Sequence, residues 1–147
     1  MSSTSSTTNG ATGRWSFSTG QNNTADGLWS YAGGVNSSAS GAESIAYGAD
    51  VNITGAGSAG FGRLNTGNGQ YIFVAGLSNT VTDNFGNSLG NNNTVSDQWG
   101  TAIGSSNIVS SQWGTAIGRS LFSRSGYEYS IGSYGTDYVA NLSLIHI

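Results

Sequence analysis

No cysteine and no proline occur in the 147 residues, lysine is missing altogether, and only 7% of the chain is charged. Without cysteine there is no disulfide framework and no thiolate metal site. Without proline, the 24 glycines cannot belong to a collagen helix or a polyproline linker. A net charge of −3 with no basic patch makes nucleic acid a poor partner. No apolar run approaches the ~18 residues of a membrane helix, so no direct membrane insertion is expected. Low charge with 11% aromatics also argues against disorder, which normally combines high charge with few aromatics.

What the chain does contain is one period. The phrase QWGTAIG occurs at 98–104 and again at 112–118, fourteen residues apart. Steps of fourteen reach Gly20, Gly34, Gly48, Gly62, Gly76, Gly90, Gly104, Gly118 and Gly132 without a slip. A short fixed period means stacked, near-identical units, and turns that touch only their neighbours count as one domain. The expected fold is all-β: a parallel β-solenoid of about nine turns.

Each position of the period has its own chemistry. One residue before the register glycine stand Tyr47, Phe61, Leu89, Ile103, Ile117 and Ile131, and three before it Phe17, Tyr31, Ile45 and Phe73. Between them the residue is small or Val: Ser18, Ala32, Ala46, Gly60, Val74, Ser88, Ala102, Ala116, Ser130. This alternation is that of a strand. Three after the glycine come Asn23, Asn65, Asn79, Asn93 and Asn107, and five after it Ala25, Ile53, Val81, Val95 and Val109. Seven after it are Gly27, Gly41, Gly55, Gly69, Asp83 and Asp97, residues that form turns. Two short strands and two tight corners per turn follow. Unbroken parity places both apolar columns and the Asn column on one inward face. The asparagines then either form amide ladders from turn to turn or hold corners in left-handed conformation.

Taken in order, residues 1–12 read as a flexible Ser/Thr-rich lead-in without the features of a secretory signal. Residues 13–141 carry the repeats. The last six, LSLIHI at 142–147, fit no position of the period and resemble a translated sequencing adapter. They are expected not to be native, which removes His146 from any chemistry and leaves a chain that stops while still repeating.

The motif TAIG at 101–104 and 115–118, with SIAYG at 44–48, resembles the head repeat of YadA-like trimeric autotransporter adhesins over nearly the whole chain. The resemblance implies a left-handed β-roll and a side-by-side homotrimer on a Gram-negative cell surface, held through an anchor outside this stretch. It further implies that the apolar residues fill each roll. The small column Ala32, Ala46, Gly60, Ala102 and Ala116 would be the trimer contact, where Val74 would crowd. Tail fibres of phages are similar in carrying such repeats, which makes a virion tail the alternative setting.

The implied function is an adhesin head that attaches to host protein, matrix or glycan. The candidate ligand-facing residues are an aromatic column nine after the glycine, with Trp29, Tyr71, Phe85, Trp99, Trp113 and Tyr127. Stacking on strands ~4.8 Å apart would make Phe85, Trp99, Trp113 and Tyr127 a continuous ridge, although its parity matches the interior. Asp83 and Asp97 share a corner but are too few for Ca²⁺. Arg119 and Arg124 flank the apolar pair Leu121–Phe122 and either dock a following domain or decorate the surface. No enzyme, metal or cofactor is expected: no base accompanies the serines, the carboxylates lie in different columns, and no glycine pattern is a phosphate loop. A second alternative is an ice-binding solenoid, from the column Thr24, Ser38, Thr66, Thr80, Thr94, which Asn52, Ile108 and Phe122 interrupt.

Overall fold

The computed structural model describes residues 9–133 and the backbone of 142–143. The chain winds as a parallel β-solenoid. One sheet is built from five-residue strands: Phe17–Gln21, Tyr31–Val35, Ile45–Ala49, Ala59–Arg63, Phe73–Leu77, Asn87–Asn91, Thr101–Ser105, Thr115–Arg119 and Tyr129–Ser133. The facing sheet has two-residue strands, from Gly10–Ala11 through Thr24–Ala25 and onward to Phe122–Ser123, nine in all. Every parallel pair joins residue i to i+14, as in Thr101↔Thr115, Ala102↔Ala116 and Ile103↔Ile117. Leu142–Ser143 adds to the end of the long sheet as an antiparallel strand on Ser130 and Ile131; residues 144–147, with His146, lie outside the described residues.

The register glycines are required twice over. Gly104 and Gly118 have φ of +121° and +143°, where L side chains are strained. A Cβ on either would also overlap the carbonyl oxygen of the glycine one turn on. Two further columns are left-handed, and apart from Gly57 they hold no glycine. One, two after the glycine, holds Asn22, Asn36, Asp50, Leu64, Ser78, Asn92, Ser106 and Ser120. The other is the aromatic column itself.

The first of these reverses part of the parity expected from the sequence. A left-handed residue turns the chain back, so alternation does not continue through the corner. Along the short strands Val81, Val95 and Val109 do point inward and are buried, as are Asn65 and Asn79 just before their strands. On the long strands it is the small column that points in: Ala32, Ala46, Ala102 and Ala116 are wholly buried, as is Val74. The apolar column faces out, with Tyr47, Phe61, Leu89, Ile103 and Ile117 exposed. Ala32, Ala46, Gly60, Ala102 and Ala116 therefore line the inside of the roll, where no second chain reaches them, and Val74 crowds nothing outside.

The interior is thin, and that is why the inward column is small. Where one turn carries larger core residues, the opposite strand yields. Gly60 sits against Ile53 and Val51, and Gly67 against Ile72 and Ile53, so that a Cβ at either would overlap them. Close packing of this kind leaves no room for a methyl group.

Both uses of the asparagines were open in the sequence, and the buried ladder is the one found. The Asn79 amide donates to Asn65 Oδ1 at 3.2 Å and the Asn93 amide to Asn79 Oδ1 at 3.1 Å. Each Oδ1 also accepts a backbone N–H from the next turn, Asn93 from Asn107 at 3.0 Å and Asn107 from Leu121 at 3.0 Å. The amide nitrogens reach the carbonyls around the register glycine, as Asn93 does to Leu89 and Gly104. The left-handed corner belongs to the preceding residue, not to these asparagines.

Candidate functional site: an exposed aromatic ladder

The aromatic column lies on the corner between the short strand and the next long strand. Trp15, Trp29, Tyr71, Phe85, Trp99, Trp113 and Tyr127 all have φ between 54° and 63°. A bulky side chain at positive φ costs about 1–2 kcal/mol, and the same corner is served without that cost by Gly57. Corner geometry alone does not call for aromatics here.

Their rings do not enter the core. Tyr71, Trp99, Trp113 and Tyr127 are exposed, against the interior parity that the sequence suggested. They stack face to face along the roll: Tyr71–Phe85 at 5.5 Å, Phe85–Trp99 at 4.0 Å, Trp99–Trp113 at 4.8 Å and Trp113–Tyr127 at 6.2 Å, all within 12° of parallel. Trp15 and Trp29 form a second, shorter stack at 5.4 Å. Trp15 was overlooked in the sequence because no register glycine precedes it; the period extrapolated backward from Trp29 finds it. Stacking of this kind returns about 0.5–1.5 kcal/mol per pair, enough to offset much of the backbone strain.

Between the stacks the column holds Glu43 and Gly57, both exposed. An amide precedes the first four rings of the long ladder, Gln70, Asn84, Gln98 and Gln112, and Gly126 precedes the last. Asp83 and Asp97 are turned onto their own corners, each accepting the next backbone N–H at 2.7 and 2.8 Å.

The other candidates separate. Arg119 and Arg124 are not brought to a common site: Leu121 is buried, Phe122 is exposed, and the Arg124 guanidinium lies 4.5 Å over the Phe122 ring. The Glu128 carboxylate closes the loop before the last long strand. It accepts N–H bonds from Arg124 at 2.7 Å and Ser125 at 2.9 Å. Partial burial would raise its pKa, but these two bonds, the Ser130 hydroxyl and the Arg124 charge together hold it below the ordinary value. The Thr/Ser column lies on the outer face of the short sheet, next to a second outward column with Ser40, Thr54, Thr82 and Ser96.

The second outward surface is the apolar stripe of the long sheet, made by Ile45, Tyr47, Phe61, Phe73, Leu89, Ile103, Ile117 and Ile131. Among the described residues, no group of three or more His, Cys, Asp or Glu is placed to hold a metal ion. No protein-family profile matches this chain, and no curated protein matches it either.

Proposed function

We propose that the roll is a non-enzymatic attachment module, the head of a YadA-like surface adhesin that works as a homotrimer of parallel rolls. The observation that carries this reading is the apolar stripe on the outside of the long sheet. It runs the height of the roll, roughly 40 Å for nine rungs, and a contiguous exposed apolar surface of that extent marks an interaction face. A second copy is the natural occupant, because an identical period brings the same side chains into register on both sides. The contact is thus made by the apolar columns, in place of the small column now found inside.

Three rolls side by side leave their corners and short sheets facing outward, in triplicate. Weak contacts at each then add through avidity. A virion tail fibre would use the same design, and the genes beside the locus distinguish the two settings.

The test is sedimentation of the full chain together with binding of chain-coated beads to matrix-coated and cell-coated surfaces. A trimer that attaches supports the reading. A monodisperse monomer, or a trimer with no attachment to any surface, removes it. The paired hydroxyl columns Thr80/Thr82 and Thr94/Ser96 on the outer face of the short sheet favour ice binding as a second reading. Thermal hysteresis by the full chain would select it, and its absence would dismiss it.

A further inference from the structure

Tyrosine and tryptophan are the side-chain rings that a one-electron oxidant can attack, and the order in which the long ladder holds them gives it a direction. Trp99 and Trp113 stand together, 4.8 Å apart and 1° from parallel. Trp99 has Phe85 on its other side at 4.0 Å, and Trp113 has Tyr127 on its other side at 6.2 Å. Tyr71, at the lower end, reaches the indoles only through Phe85, from which it lies 5.5 Å.

An electron taken from this stack leaves a positive charge that the two indoles share. The flanking ring faces attract that charge as they attract any cation held over them. The short stack is built differently. The Arg14 guanidinium lies 3.9 Å over Trp15 and opposes a second positive charge there. Past Trp29 the column continues to Glu43, so no tyrosine joins that stack. In the long ladder, Tyr127 is the tyrosine that touches an indole. It is 61% exposed, and a phenol gives up an electron most readily where it can hand its proton to water. Phe85, a ring with no proton to release and much harder to oxidise, separates the indoles from Tyr71. The path is open toward Tyr127 and obstructed toward Tyr71.

We infer that the long ladder gathers one-electron oxidation and delivers it to Tyr127, which is an oxidative cross-linking site. A one-electron oxidant takes an electron from Trp99 or Trp113 and is itself reduced by one. Tyr127 returns one electron to the indole and releases its phenolic proton to water. The indole ends as it began, and Tyr127 carries a neutral phenoxyl radical. Two such radicals on different rolls then couple. A carbon–carbon bond forms between the ring positions beside the two oxygens, and the hydrogens displaced from those positions return to the oxygens, giving dityrosine. This chemistry does not depend on what the roll attaches to.

Tyr129 is the internal comparison: next but one in the chain, it is 51% exposed and stacks on no ring among the described residues. The experiment is visible-light oxidation of the full chain by tris-bipyridyl ruthenium, with a cobalt ammine complex as the terminal electron acceptor. Covalent dimers are read on denaturing gels, and cross-linked peptides by mass spectrometry. Cleavage after Glu128 puts Tyr127 and Tyr129 on separate peptides. The folded chain should form dityrosine at Tyr127 several-fold more than at Tyr129. Trp99→Phe with Trp113→Phe removes both electron donors and keeps a ring that the column already holds at Phe85. In that variant the Tyr127 yield should fall to that of Tyr129. Tyr127→Phe should leave the lasting products on Trp99 and Trp113 as oxidised indoles. Circular dichroism confirms that each variant is folded. Equal yields at Tyr127 and Tyr129 in the native chain, a preference that survives loss of both indoles, or indole products unchanged by Tyr127→Phe each overturns the inference.

Discussion

The Asn93 amide donates to Asn79 Oδ1 at 3.1 Å across one full turn of the roll, with both side chains shut off from solvent. The same Asn93 nitrogen reaches Leu89 and Gly104 carbonyls, and its oxygen accepts the Asn107 backbone N–H. One side chain thus ties three turns together.

Asn93→Leu should be among the most damaging single changes in the chain. It leaves buried backbone and amide groups unpaired, each worth about 1–3 kcal/mol. Urea unfolding would show it as a loss of unfolding free energy of that size, read from a lower midpoint at unchanged slope. An unaltered midpoint would mean that the ladder is redundant.

The pairing of Gly60 with Ile53 predicts a rescue. A Cβ at 60 would lie 2.8 Å from Ile53 Cγ1 and 2.9 Å from Val51 Cγ1. Gly60→Ala should destabilise by about 1–3 kcal/mol through overpacking. Adding Ile53→Val should recover part of the loss, an interaction visible in a double-mutant cycle. Strict additivity would show that the two do not share a space.

Ile103→Asp with Ile117→Asp tests which way the long strands face. Both isoleucines lie outside, 37% and 38% exposed, so the far-ultraviolet circular dichroism should persist, while the proposed association of rolls should be lost. Collapse of the β signal would restore them to the interior.

Acid should loosen the last turns first. The folded Glu128 carboxyl is held below its ordinary range by N–H bonds that outweigh partial burial. A depressed carboxyl contributes stability that is fully present above the unfolded value, near 4.3, and is lost as pH falls through the folded value. Measured against the intrinsic rate at each pH, hydrogen-exchange protection at Arg124 and Ser125 should fall below about pH 4 in the native chain. In Glu128→Gln that protection should already be low at neutral pH and change little over that range.

The period made the architecture legible. Nine register glycines fix the number of turns, and the Asn and Val columns announce the inner face of the short strands. What the sequence concealed was the backbone handedness of single residues. Ser106 and Ser120 look like ordinary loop serines, yet their positive φ turns the chain so that Ala102 points in and Ile103 out. The aromatic column was visible, but its exposure was not, because Trp99 and Trp113 read as core residues until their corner is known to be left-handed.

The stacking of turns has a mechanical corollary. The hydrogen bonds between turns, such as Thr101 N–H to Gly114 O and Thr94 N–H to Asn107 O, lie along the roll axis. A load applied through the two ends of the chain opens them one turn at a time, as in a zipper, and never shears a whole sheet at once. Each turn released pays out fourteen residues of extended chain, about 46–50 Å, in exchange for a rung of about 4.8 Å. A roll pulled from its two ends therefore lengthens roughly tenfold as its turns come undone.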